Sequence, residues 1–254
     1  MIQHWFVMPK SNYDFDPFGS LTNLFKDPVT YLKKTKVLLK DDPSALVLFF
    51  SNVLFIVFAI VCSVSLGEVL FVYWLQSVII GSFNILKILM YPFASNSSTR
   101  GYYSSNGKIF SLDSLKGRLI IAFFFVFHYG FFHFVYLIFI GAPNLFLANE
   151  VSPILIGGLI FFIPHLFSFF FNLKSDLAKK WDVIKLMFLP YSRILPMHIT
   201  IIFGAVIMLL IGMPLYFIFG NIGVRFAELL VMILFTLIKM LVDLSSHKNY
   251  HGEN

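Results

Sequence analysis

Residues 44–66 read SALVLFFSNVLFIVFAIVCSVSL, twenty-three residues without one charged side chain. A bilayer core ~30 Å thick is crossed by about 20 apolar helical residues, so this stretch alone directs the chain toward a membrane. Five more segments reach that length, at about 68–91, 118–140, 152–173, 194–219 and 222–243. Composition agrees. The chain is 58% hydrophobic and 13% charged, with a mean hydropathy of +0.83, whereas water-soluble domains are nearer a quarter charged. Cys62 is the single cysteine, which excludes an internal disulfide and a cysteine-rich metal cluster.

The basic residues set orientation. Lys10, Lys26, Lys33, Lys34, Lys36 and Lys40 precede the first span. Arg100, Lys108, Lys116 and Arg118 lie between spans two and three, and Lys174, Lys179, Lys180, Lys185 and Arg193 between spans four and five. Lys87, Lys239 and Lys248 fall at or beyond span ends on the same side, and Arg225 alone falls on the other. The positive-inside rule then places both termini in the cytoplasm and makes the external loops short. The same distribution accounts for the net charge of +6: the basic residues face lipid headgroups, and no aromatic-interleaved nucleic-acid motif accompanies them. The N-terminus lacks a basic cluster followed by a short apolar stretch, so no cleavable signal peptide is expected.

The expected fold is therefore all-α: a polytopic bundle of six transmembrane helices in the cell membrane, with interfacial amphipathic helices. Residues 1–43 form a cytoplasmic N-terminal segment, 44–243 the membrane domain and 244–254 a cytoplasmic tail. Asp42-Pro43 is a helix start. Asp27-Pro28 opens a basic helix, VTYLKKTKVLLK, suited to the membrane surface. In KSDLAKKWDVIKLMFL (174–189), Leu177, Trp181, Ile184 and Phe188 share one helical face away from the lysines, the pattern of an interfacial helix. The loop 94–116 has no apolar period and reads as mobile; its Asn96-Ser97-Ser98 sequon lies on the cytoplasmic side, where glycosylation is not expected.

Polar side chains at membrane depth are candidate sites by default. At ~1.5 Å per residue, Asn84, His128, His165 and His198 all fall in the cytoplasmic half and form a candidate cluster. Gln76 and His133 sit higher, roughly 22 Å from the cytoplasmic face, as an outer polar layer. Arg225 with Glu228 and Lys239 with Asp243 have the spacing of helix-surface ion pairs and read as structural. Lys87 and Arg193 share a depth at which they are expected to receive an anion or lipid headgroup together. Ser77, Gly81, Gly157 and Gly158 are small-residue packing positions.

Three active roles compete for the histidines with simple hydrogen bonding between helices. A metal requires converging imidazoles, yet His128 and His133 point about 140° apart on one helix. A b-type haem would use histidines of two helices, for example His128 with His198. A proton or solute path needs only a polar lining. No GxSxG elbow and no Walker loop occurs, and no catalytic residue is assigned.

Three stretches, YWLQSVIIGSFNILKIL (73–89), FFFVFHYGFFHF (123–134) and PYSRILPMHITIIFG (190–204), together resemble the DUF6498 family of prokaryotic multi-span membrane proteins. The resemblance covers about residues 44–243. It implies that Tyr73, Trp74, Gly81, Asn84, Lys87, His128, Tyr129, Gly130, Arg193, Pro196, Met197 and His198 are signature positions. Where family members often carry an acidic residue and an asparagine, this chain has Gln76 and Ser77. The family has no established activity.

The functional expectation is a non-catalytic membrane protein handling a small solute, ion or lipid at a polar site in the cytoplasmic half. No cofactor and no nucleic acid is expected; the partners are the bilayer, a small solute or lipid, and a protein partner or second copy. The alternatives are an intramembrane metal- or haem-dependent enzyme or redox subunit using His128, His165 and His198, and an accessory subunit of a membrane complex.

Overall fold

The computed structural model describes residues 26–92, 102–105, 108–111, 114–141, 152–181, 183–194, 199, 203–204 and 206–251. The chain runs through α1 (Pro28–Asp41), α2 (Pro43–Val61), α3 (Leu66–Met90), β1 (Tyr102–Ser105), β2 (Lys108–Ser111) and α4 (Leu115–Tyr136), the last continuing as a π turn at Leu137–Gly141. It goes on through α5 (Ser152–Ala178), α6 (Val183–Phe188), a 3-10 turn (Leu189–Arg193), a π turn (Met208–Gly212), α7 (Met213–Phe219) and α8 (Asn221–His251).

Among the described residues, four helical segments are long and apolar enough to cross a membrane: Pro43–Val61, Leu66–Met90, Leu115–Ile140 and Ser152–Ala178. These correspond to the first four of the six expected spans. The expected fifth span is described only from its C-terminal part, as a π turn running into the seven-residue α7. The expected sixth is contained in α8, whose 31 residues make a rod of about 46 Å.

The helix starts follow from local chemistry. Asp42 caps α2, its Oδ1 accepting from the Ser44 and Ala45 amides at 2.8 and 3.2 Å, with Pro43 in the first turn. Asp27 caps α1 through the Thr30 amide at 3.0 Å. At the start of α3 the Ser65 hydroxyl accepts from the Glu68 amide, and the Glu68 carboxylate accepts from the Ser65 amide, a reciprocal capping box. Glu68 thus has a structural task at the outer end of its helix.

The α4 sequence divides cleanly between two environments. Phe123, Phe127, Phe131 and Phe134 form an exposed stripe, while Phe125, Tyr129, His133 and Tyr136 are buried on the other side. A contiguous exposed apolar surface of that kind calls for lipid or a partner rather than water. The core helix is α3, which touches α4, α5, α6 and α8. Small residues let it approach its neighbours. A Cβ added at Gly81 would stand 2.6 Å from Tyr129 Cε1, and one at Gly157 would meet Val72 and Phe55 at 2.8 to 2.9 Å. Gly158 faces Leu75 in the same way.

Two local expectations are corrected. The segment 94–116 is not wholly a loop: Tyr102–Ser105 pairs antiparallel with Lys108–Ser111. The sequon at Asn96 lies outside the described residues. The interfacial helix read at 174–189 is broken. Instead α5 continues to Ala178, and the chain leaves the helix around Lys179–Trp181. Trp181 explains the break. Its indole Nε1 donates to the Asp176 carbonyl at 2.8 Å and its amide donates to the Pro92 carbonyl at 2.8 Å, bonds that hold it in a turn beneath α3.

An open apolar groove of about 730 Å³ runs between α2 and α5, lined by Phe50, Leu54, Leu159, Ile163 and Pro164 among others.

Candidate functional site: a buried ionic centre between three helices

Lys239 and Asp243 are four residues apart on α8 and form an ion pair. Unlike an ordinary helix-surface pair, this one is interior: Lys239 is 4% exposed and Asp243 0%. Burying two charges is costly unless each is paired and hydrogen-bonded, so the surrounding contacts matter. The ammonium donates to Asp243 Oδ2 and to Gln76 Oε1. It also stands over the rings of Tyr73 and Phe161, 4.4 and 4.7 Å from their centroids, so two aromatic faces supplement the anion. Tyr73 and Phe161 are packed against Phe55, and Tyr73 against Phe235, at centroid distances near 5.2 Å. The Tyr73 hydroxyl is buried and closes no hydrogen bond of good geometry.

Gln76 is the hub. It is 0% exposed, and its Nε2 donates to Asp243 Oδ2 at 3.4 Å and approaches His165 Nε2 at 3.0 Å. Which atom of the carboxamide faces which neighbour follows from donor chemistry. An ammonium can only donate, so the oxygen must face Lys239 and the NH₂ must face His165. In that arrangement His165 Nε2 is placed to accept. The centre thus joins α3 (Gln76, Tyr73), α5 (His165, Phe161) and α8 (Lys239, Asp243) through charge-assisted contacts.

Its depth follows from the helix ends. Gln76 is ten residues into α3, about 15 Å from its start. Arg225, near the start of α8, donates to the Ser63 carbonyl at 3.1 Å and pairs with Glu228 at 2.8 Å. At the other end Tyr91 donates to Asp176 Oδ2 at 2.9 Å, and Asn172 Nδ2 donates to Ser44 Oγ at 3.1 Å. The centre lies between these two polar layers, far from both. Lys239 and Asp243 are accordingly not helix-end groups, as their sequence positions suggested, because α8 continues to His251.

The remaining candidates are distributed as follows. Of the expected cluster of Asn84, His128, His165 and His198, only His165 is seen in this centre. His128 is on the exposed side of α4, where its Nδ1 meets the Tyr191 hydroxyl at 2.7 Å and its ring stacks on Phe124. Asn84 is buried with no hydrogen bond to its Nδ2, and His198 lies outside the described residues. Burial raises the Tyr191 phenol to about 12. Near Gln76 and His133, expected as one outer layer, Trp74 Nε1 donates to the His133 carbonyl at 2.8 Å. The Gln76 and His133 side chains do not meet, because positions 74 and 76 point about 200° apart on α3. His133 instead turns its Nδ1 to the Tyr129 carbonyl at 2.9 Å. Tyr129 donates to the Ser77 carbonyl at 3.0 Å and shares a 2.8 Å hydroxyl contact with Ser77 Oγ. Lys87 is half-buried in the last turn of α3. Arg193 closes the 3-10 turn, and its side chain lies outside the described ones, as does any pairing with Lys87.

Among the described residues, no group of three or more His, Cys, Asp and Glu side chains is placed to hold a metal. His128 and His165 are held by different partners, Tyr191 and Gln76.

Comparison with known proteins gives one match. The model of the DUF6498 family, described as a family of unknown function, matches residues 35–254. No curated protein and no solved structure matches.

Proposed function

The chain belongs to the DUF6498 family, and from that premise we propose that it is a multi-pass protein of the cell membrane that handles an ion, the proton, at the Gln76–His165–Lys239–Asp243 centre. In this reading the chain crosses six times with both termini cytoplasmic, the expected fifth and sixth spans being 194–219 and the α8 helix. It is a non-catalytic role. The apolar stripe of α4 and the four long apolar helices support the membrane setting.

The observation that carries the ion reading is the buried Lys239–Asp243 pair. Helices can be fixed in register by neutral hydrogen bonds, as Ser77 and Tyr129 do here. An ammonium and a carboxylate in the interior cost more than they return relative to well-packed apolar residues. Ionisable groups at membrane depth accordingly mark ion and proton pathways. Gln76 extends the pair to His165, the side chain whose ordinary titration range is nearest neutrality. Lys87 and Arg193, near the cytoplasmic ends of their segments, remain the proposed contact for an anionic headgroup.

The test is proton movement in vesicles. Protein reconstituted into liposomes containing a pH-sensitive dye, with a potassium diffusion potential imposed by valinomycin, is expected to move protons faster than empty liposomes do. Asp243→Asn, which keeps the shape and removes the charge, is expected to abolish the difference. A folded Asp243→Asn variant with undiminished flux, or a wild-type protein indistinguishable from empty vesicles, overturns the reading. The visible spectrum and metal content of the same preparation test the redox alternative, which predicts a Soret band or stoichiometric metal.

A further inference from the structure

We propose that the Gln76 carboxamide is a two-position switch that makes protonation of Lys239 and protonation of His165 mutually exclusive. The inference rests on the ion-handling reading and adds to it which groups exchange the proton.

The argument uses only donors and acceptors. In the arrangement observed, Lys239 is an ammonium donating to Gln76 Oε1 and to Asp243, and Gln76 Nε2 donates toward His165 Nε2. Hydrogen bonding therefore has one direction, from α8 through α3 to α5. A proton arriving at His165 Nε2 would confront the amide NH₂ with another N–H. Two donors cannot bond each other, and in an interior where Gln76 is 0% exposed water does not stand in. The conflict is removed by turning the carboxamide over. Its oxygen then accepts from the imidazolium, and its NH₂ faces Lys239. That second arrangement holds only if the Lys239 nitrogen has a lone pair to offer, which requires the neutral amine.

The proton count closes in both positions. In the first, Lys239 is positive, Asp243 negative and His165 neutral. In the second, Lys239 is neutral, Asp243 negative and His165 positive. One proton is taken up at His165, which is partly exposed, and one is released from Lys239 through its remaining 4% exposure; no proton passes through the amide, and the net charge of the centre does not change. Positive charge moves from α8 to α5. The flip also gives up the 3.4 Å bond from Gln76 to Asp243. Tyr73, from α3, is the other titratable side chain packed against Lys239; its ring offers the same face to the cation in the first position and needs no movement in the second. Simple repulsion between two cations would also disfavour double protonation, but it would not fix which nitrogen of a neutral His165 carries the proton. The switch does.

Nitrogen-15 solid-state NMR of the full-length protein in lipid bilayers, with labelled histidine, reads that directly. The chain has 7 histidines, so His165 is assigned by the resonance lost in His165→Gln. The wild type is expected to show neutral His165 with its proton on Nδ1 and Nε2 bare. Lys239→Met/Asp243→Leu removes both groups that hold the carboxamide in place, the ammonium at its oxygen and the carboxylate at its NH₂, and the ratio of the two tautomers should shift toward Nε2–H by about tenfold, what one buried hydrogen bond of ordinary strength imposes. Lys239→Met alone leaves Asp243 holding the NH₂ and should shift the ratio by less. A wild-type His165 protonated on Nε2 overturns the switch without any variant, and so does an unchanged tautomer ratio in the double variant. The outcome is separable from the flux assay. Proton flux without the tautomer restriction refutes the switch alone, and the restriction without flux refutes the ion-handling role alone.

Discussion

Asp243→Ala is the most informative stability experiment, because it leaves the Lys239 ammonium in an interior built to receive it as half of a pair. Removing one partner of a buried ion pair costs about 3–5 kcal/mol, since the other charge remains desolvated. The lower end applies here. Lys239 keeps the Gln76 oxygen and the Tyr73 and Phe161 faces at 4.4 and 4.7 Å, and each cation–ring contact offsets about 0.5–2 kcal/mol. A loss of about 3 kcal/mol lowers the folding equilibrium constant by a factor of more than a hundred. Lys239→Met/Asp243→Leu, which removes both charges and roughly preserves volume, is expected to restore wild-type stability or exceed it. Equilibrium unfolding in detergent, followed by circular dichroism across increasing denaturing detergent, measures both variants against the wild type. If the double variant is as unstable as the single one, the pair contributes net stability and the case for a functional cost disappears. If Asp243→Ala is neutral, Lys239 is not held as a desolvated charge, which refutes the reasoning.

Other consequences can be measured in the same system. Gly81→Ala places a methyl 2.6 Å from Tyr129 Cε1, and overpacking at this interface should cost about 1–3 kcal/mol of unfolding free energy. Tyr129→Phe removes the hydroxyl contacts to Ser77 and should cost under about 1 kcal/mol by the same measurement. Asp176→Ala removes the acceptor for the Tyr91 hydroxyl; collisional quenching of Trp181 fluorescence, read in a chain with the other tryptophans replaced, should increase. Tyr191 is held neutral to about 12 by burial, so ultraviolet difference titration of wild type against Tyr191→Phe should show its phenolate late. The unfolded chain loses that proton first, near the usual tyrosine value of about 10. Between those two values the folded state holds more protons than the unfolded one, and stability falls as pH rises.

Helix placement was legible wherever the signal is local. Asp42-Pro43 and Asp27-Pro28 announce their helices, and the caps form as their chemistry requires. Ser65 and Glu68, three apart before an apolar run, carry a capping-box signature and form the box. The Ser77, Gly81, Gly157 and Gly158 packing positions were equally readable. The centre was not. Gln76 and His165 were recognised as polar residues at depth, yet depth counted from each helix end assumes every span is equally long and upright. Helix α8 overshoots its expected end by eight residues, which moves Lys239 and Asp243 from the edge to the interior. Which faces converge depends on helix rotation, and an apolar sequence with weak periodicity does not specify it. The broken helix at 179–181 depended on a contact across the chain, from Trp181 to Pro92, that no local pattern reveals.

The order in which the chain is made gives the α8 charges a further meaning. At the centre of a membrane helix, lysine and aspartate each oppose insertion by about 2.5–3.5 kcal/mol, and α8 carries one of each and is made after α3 and α5. Gln76, Tyr73, His165 and Phe161 on those two helices thus form a receptor for α8, and a chain truncated before Lys239 leaves that receptor empty. Docking of α8 is then a binding reaction within one molecule, and the ion pair is its recognition contact.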